Sequence, residues 1–248
     1  VAFSLYTYAY QLVNILAGGV LSIFADNFAN DRKLLKRNFL LFTEIFAAIV
    51  TYLGTFMVVF GEIFIGLWLG EAYTNSYTIL LIFVVILVVN GTNRATIALF
   101  YATSQHKGLA KWNVLEGLSN VVLSILLVQN YGLIGIALGT LIPSLYVNIF
   151  LKPKYACRII DISLTQYWKK IITHWTMGAF FTILYYTLIS SIEINSFIEL
   201  ILVCFLLSVP YIFIVSRFLI AKETKELILE NTLEKKFNPA LKFVFGIK

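Results

Sequence analysis

The chain has 248 residues, of which 60% are hydrophobic and only 13% charged. A soluble domain carries about a quarter charged residues, so this one has too little polar material to coat a globule of its size. Its net charge of +6 would suggest nucleic acid in a soluble protein, but the basic residues flank long apolar blocks, which points to membrane topology and anionic headgroups rather than nucleic acid.

The apolar residues fall into about seven spans of roughly 18–24 residues, each long enough to cross about 30 Å of hydrocarbon as a helix. The spans are 3–25, 38–60, 77–99, 112–129, 133–151, 173–192 and 197–220, with a tail over 221–248. The runs are unbroken, without the ten-residue alternation of a membrane β-barrel, so the predicted fold is all-α, a polytopic membrane helical bundle. The first span starts almost at residue 1 with no charged region or cleavage site before it. It is therefore read as a span and not a signal peptide, and the chain as a piece of something longer.

The first span carries Tyr6, Tyr10 and Asn14 as an i, i+4, i+8 stripe, with Gln11 three residues before Asn14 on the same face. The stripe reads either as the lining of a hydrated cavity or as an interfacial tyrosine cluster near the outer end. The following connection holds Arg32, Lys33, Lys36 and Arg37. Span two contains Glu44, a candidate proton site or an interfacial acid. Segment 61–76 carries Gly61, Gly66 and Gly70 with Trp68 and Tyr73 and is expected to be an external loop at the aromatic belt.

Arg94, one and a half turns from the end of span three, and Glu116, one turn inside span four, flank one short connection at similar depth. Ionisable residues inside a membrane are costly and mark function by default. The two read as a buried ion pair locking two helices, as snorkelling groups, or as a gate or ion-coupling pair. Asn90, Asn93, Asn113 and Asn120 surround them and are expected to join helices. Span five holds Gly135 and Gly139 in a G-x-x-x-G with Gly132 just before it, a close-packing pattern. Pro143 and Pro210 are expected to bend spans five and seven.

Segment 152–172 has basic ends and an apolar middle with Tyr155, Tyr167 and Trp168, and is expected to lie along the inner surface. The tail reads as a surface helix with a frayed end. All 19 Lys and Arg fall at alternate connections and in the tail, while the other connections carry Glu62, Glu71 and Glu193. By the positive-inside rule the basic connections are cytoplasmic, the N-terminus of the chain outside and the C-terminus inside.

His106 and His174 have no partner at metal spacing, and Cys157 and Cys204 form no C-x-x-C pair. There is no nucleophile elbow, phosphate-binding loop or HExxH, so no metal, cofactor or enzyme activity is expected.

Three stretches together resemble the polysaccharide transporter and O-antigen flippase family of the multidrug/oligosaccharidyl-lipid/polysaccharide (MOP) exporter superfamily. They are LYTYAYQLVNIL at 5–16, IFIGLWLGEAYTNSYTIL at 63–80, and YATSQHKGLAKWNVLEGLSNVVLSILLVQNYGLIGIALGTLIP at 101–143. The resemblance implies the C-terminal lobe of a fourteen-helix flippase whose N-terminal lobe is missing. It implies a multi-pass protein of the bacterial inner membrane. Its cargo would be a polyprenyl-diphosphate-linked oligosaccharide bound for O-antigen, capsule or exopolysaccharide, and its direction would come from proton or sodium coupling or the membrane potential. The alternatives are a drug/cation antiporter of the same superfamily, a membrane polysaccharide polymerase or ligase, and a non-catalytic membrane scaffold.

Overall fold

The computed structural model describes residues 1–220, 222, 224 and 225. The surface helix expected in the tail therefore lies outside the described residues, apart from the last three. Among those described there is helix and no strand. Five stretches are long and apolar enough to cross a membrane: Ala2–Asn30, Arg32–Leu69, Ser76–Ala102, His106–Ile159 and Phe197–Leu219.

The first stretch is broken into α1 (Ala2–Leu16) and α2 (Val20–Asn30) at the Gly18–Gly19 pair. α3 (Arg32–Leu69) follows at once because Asp31 leaves the helix with extended backbone and its carboxylate accepts from the Lys33 and Leu34 amides at 2.8 and 3.0 Å. α3 is the central mast. Its 38 residues span roughly 57 Å, and it runs on to Leu69 where an external loop from residue 61 was expected. The actual connection is short, from Gly70, whose φ of 90° suits glycine, through a single 3-10 turn at Glu71–Tyr73.

α4 (Ser76–Thr92) and α5 (Arg94–Ala102) form one rod offset at Asn93. α1 packs along α4 and α2 along α5, so the two broken rods run side by side. α6 (His106–Leu145) contains Gly132 at φ 56° and ψ −134°, outside helical space. The chain doubles back there. A side chain at Gly135 would meet the Leu127 carbonyl, and one at Gly139 the backbone of Ser124. The G-x-x-x-G thus packs against the preceding arm of its own hairpin.

A π-helical turn (Tyr146–Leu151) carries the second arm into α7 (Lys152–Ile159). α8 (Leu164–Ile189) opens with a capping box: Ser163 Oγ accepts from the Gln166 amide at 3.1 Å, and Gln166 Oε1 from the Ser163 amide at 3.2 Å. α9 (Phe197–Ile214) and a π-helical turn over Val215–Leu219 complete the described fold.

The expectation of a surface-lying 152–172 segment is corrected. Lys152, Ala156, Cys157 and Tyr167 are buried, and α7 and the start of α8 belong to the bundle. The principal interface is α3 against α8. Gly178 admits Thr51 so closely that any side chain there would overlap it, and Thr55 Oγ1 donates to the Gly178 carbonyl at 3.3 Å.

The connections gather at two ends. At one, Lys36 of α3 donates to the Asp161 carbonyl at 2.9 Å, and Tyr155 donates to Gln105 Oε1 at 2.8 Å. These contacts bring the α2–α3, α5–α6 and α7–α8 junctions together. At the other, Phe64 meets Phe197 at 6.1 Å, joining the end of α3 to the start of α9. The cationic junctions therefore share one end of the bundle.

Candidate functional site

A strongly polar pocket of about 300 Å³ lies toward the basic end of this apolar bundle. Its wall is built by four rods. Tyr10 comes from α1, Asn90 from α4, and Arg94, Ile97 and Tyr101 from α5. Leu109, Asn113 and Glu116 come from the first arm of α6, and Asn148 and Lys152 from the returning chain.

The hairpin explains why Glu116, Asn148 and Lys152 meet. Glu116 and Asn148 are equidistant in sequence from Gly132, each roughly 24 Å down its arm at 1.5 Å per residue. Lys152 lies one turn beyond Asn148. Lys152 Nζ donates to Glu116 Oε2 at 3.1 Å and to Asn148 Oδ1 at 3.0 Å, while Asn148 Nδ2 donates to Glu116 Oε1 at 3.1 Å. The Lys152 side chain is 5% exposed and that of Glu116 21%. The carboxylate thus has a donor on each oxygen, which is what a charge withdrawn from water requires.

Of the readings open for Arg94 and Glu116, an ion pair between the two is not made. Both side chains line the same pocket, but the partner of Glu116 is Lys152. Arg94 instead lays its guanidinium over the Tyr10 ring at 4.2 Å, and its Nε is buried without a hydrogen-bond partner. The pocket consequently carries two cations, Arg94 and Lys152, against one carboxylate. Tyr6 stacks on Tyr10 at 5.5 Å. Of the three stripe residues Tyr10 lines the pocket; Tyr6 and Asn14 are half-buried, and Gln11 beside them is exposed. Tyr10→Leu removes the ring face and is expected to lower stability by about 1 kcal/mol, while Tyr10→Phe keeps it within ~0.3 kcal/mol, read as unfolding midpoints in detergent.

The amides form a chain behind the pocket. Ser144 Oγ donates to Asn90 Oδ1 at 2.9 Å, and Asn148 Nδ2 also donates to the Ser144 carbonyl at 2.9 Å. Asn93 Nδ2 donates to the carbonyls of Val89 and Asn148, both at 2.9 Å, and Asn93 Oδ1 accepts from the Tyr167 hydroxyl at 3.2 Å. Asn93, sitting at the α4–α5 offset, thereby ties that rod to the returning chain and to α8. Asn120 Nδ2 donates to Thr140 Oγ1 at 3.3 Å across the hairpin.

Glu44 lies apart, in the α3–α8 seam. Its side chain is 4% exposed, with Lys170 Nζ donating to Oε2 at 3.1 Å and the Thr224 hydroxyl donating to the same oxygen. Lys170, like Lys152, reads from sequence as a connection cation and is instead the partner of a buried acid. Among the described residues no group of His, Cys, Asp and Glu is arranged to hold a metal ion, and Cys157 and Cys204 are not bonded to each other.

Lys152, Asn148, Ser144, Tyr167 and Lys170 are the residues that sequence reasoning missed. A usable signal for the first two was the mirror relation about Gly132, which sets Asn148 opposite Glu116. No family model, curated protein or solved structure matches this chain.

Proposed function

We propose that this chain is one lobe of a membrane flippase that carries a polyprenyl-diphosphate-linked oligosaccharide across the bacterial inner membrane. In this reading the helices make seven passes. The fold at Gly132 divides His106–Ile159 into two of them, and α8 supplies a sixth between these and α9. The basic junctions face the cytoplasm.

The observation that carries the reading is the polar pocket. A half-open pocket of about 300 Å³ walled by Arg94, Lys152, Glu116 and three asparagines is costly to keep within an apolar bundle. Such groups persist where they line a path or bind a polar cargo. A saccharide and a diphosphate cannot cross hydrocarbon unaided, so a lobe with a polar inner wall and a lipid-facing outer wall suits a cargo with a polar head and an isoprenoid tail. The outer faces are apolar as this requires, with Val114, Leu118, Val121 and Ile125 exposed on α6 and Ile198, Ile201, Phe205 and Leu206 on α9. The two cations against one carboxylate favour an anionic cargo over the cationic drugs of an antiporter.

The test is export in cells carrying the intact gene. Arg94→Ala, and Glu116→Gln combined with Lys152→Met so that no buried charge is left unpaired, are each expected to cut surface polysaccharide at least about tenfold at normal membrane levels of protein, the loss of roughly one charged contact. Lipid-linked oligosaccharide should accumulate on the cytoplasmic side. Normal surface polysaccharide in both variants overturns the reading, and efflux of cationic dyes replaces it with the antiporter.

A further inference from the structure

The α2–α3 and α7–α8 junctions enclose a further pocket with a charged rim, apart from the polar site. It holds about 240 Å³ and is lined by Arg32, Leu35 and Lys36 of α3 and by Ile159, Ile160 and Asp161 where α7 ends. Its floor is apolar, because Leu35 and Ile160 are buried. Its rim presents two cations and one carboxylate, and that carboxylate stands in water: the Asp161 side chain is 99% exposed, against 38% for Lys36.

The two cations are held in different ways. Arg32 lays its guanidinium over the Phe28 ring at 3.6 Å. Stacking uses the face of the guanidinium and leaves its N–H donors directed outward in the plane. Among the described residues none accepts a hydrogen bond from them. Lys36 Nζ donates to the Asp161 carbonyl at 2.9 Å and more loosely to its carboxylate at 3.4 Å. A carbonyl has no net charge, so it positions the ammonium without neutralising it, and an ammonium has a third N–H to give. Asp31, beside Arg32 in sequence, is taken up by the Lys33 and Leu34 amides at the start of α3.

We propose that this pocket binds the phosphodiester of an anionic phospholipid, with the Arg32 fork and the Lys36 ammonium on the phosphate oxygens and the glycerol carbons over Leu35 and Ile160. The position of the pocket selects a lipid over free phosphate. It lies at the basic end, where α3, long and apolar enough to cross a membrane, begins. Exposed apolar side chains follow within a turn or two, Leu164 on α8 and Ile23 on α2. Free phosphate would use the cations and leave the apolar floor idle, whereas a phospholipid uses both. Asp161 is the group that gives way, since its carboxylate bond to Lys36 is long and exposed and such pairs contribute little. A bound lipid would then join the start of α3 to the α7–α8 junction. The proposal rests on the bundle lying in a membrane and not on what the polar pocket carries.

The test is lipid binding by the full chain in detergent, counted by native mass spectrometry. Phosphatidylglycerol offers an anionic phosphodiester, and phosphatidylcholine one that its own ammonium balances. One phosphatidylglycerol is expected to bind at least about tenfold more tightly than phosphatidylcholine, the worth of roughly one charge-assisted contact. Combining Arg32→Gln with Lys36→Gln is expected to bring that ratio below about twofold. Lys33→Gln with Arg37→Gln removes two exposed cations that do not line the pocket, and is expected to leave the ratio within about twofold of the wild type. Inorganic phosphate at matched ionic strength is expected not to displace the lipid. Equal binding of the two lipids overturns the proposal, and that comparison needs no variant to fold. An equal loss in the Lys33 and Arg37 variant shows a diffuse surface charge and overturns it too, and displacement by inorganic phosphate gives the pocket to a free anion instead. Export is not measured, so this proposal and the transport reading stand or fall separately.

Discussion

Lys152→Met is expected to destabilise the protein by about 3–5 kcal/mol, and adding Glu116→Gln is expected to recover most of the loss. The single substitution keeps the shape of the stem but removes the cation paired with Glu116, leaving a partly buried carboxylate with the Asn148 amide as its donor. It also strips Asn148 Oδ1 of the donor it receives at 3.0 Å. The double variant exchanges a buried ion pair for a neutral amide beside a thioether chain, a replacement that is commonly close to neutral because two desolvation costs vanish with the attraction. A double-mutant cycle on unfolding midpoints in detergent checks it. A coupling of at least about 2 kcal/mol is expected, whereas a single-variant cost below about 1 kcal/mol would mean that the Lys152 ammonium is in water and not in the pocket.

That Lys152 is buried is also where the sequence was least informative. Long apolar runs, the asparagines at the α4–α5 offset and the glycines of the hairpin all carry their structural meaning locally, through helix period, backbone freedom and side-chain size. Counting lysines as connection charges works for Lys33 and Lys154, which are solvent-exposed. It fails for Lys152 and Lys170, because a lysine one turn inside a helix end and one on a loop look alike in sequence. The difference is made by a carboxylate from a distant element: Glu116 across the hairpin in one case, Glu44 of α3 in the other. Arg94 and Glu116 illustrate the same limit. Their matched depth was legible, and both do reach the pocket. Their pairing was not, since each residue turns the helix face by about 100° and depth alone leaves that angle open. The hairpin arms are different, because the turn at Gly132 fixes both depth and facing, so the opposition of Glu116 and Asn148 was in principle readable. Nothing in sequence order foretells the Tyr167–Asn93 bond, which depends on how α8 docks against the offset at the α4–α5 junction.

The hairpin's closeness is what holds the pocket in shape, and Gly139→Leu is expected to undo it. Gly139 is buried against the backbone of Ser124, and even a Cβ would overlap it. Because the obstacle is main chain, it cannot be turned aside by a rotamer change. Overpacking of this kind costs about 1–3 kcal/mol where side chains give way, and more where helices must separate. Gly-mediated pairs approach closer than the usual 8–10 Å between helix axes, so a leucine should push the arms apart by roughly 2 Å or more. The Asn120–Thr140 bond at 3.3 Å would break first, and Asn148 and Lys152 would be drawn away from Glu116 at the far end of the same arms. Spin labels at the exposed positions Val121 and Ile142 report the separation directly. Gly117→Leu is the control, since a Cβ there meets nothing within 4 Å and the inter-label distance should stay unchanged. An unchanged distance in Gly139→Leu as well would show that the returning arm does not lie against Ser124. The route by which Lys152 reaches Glu116 would then be lost.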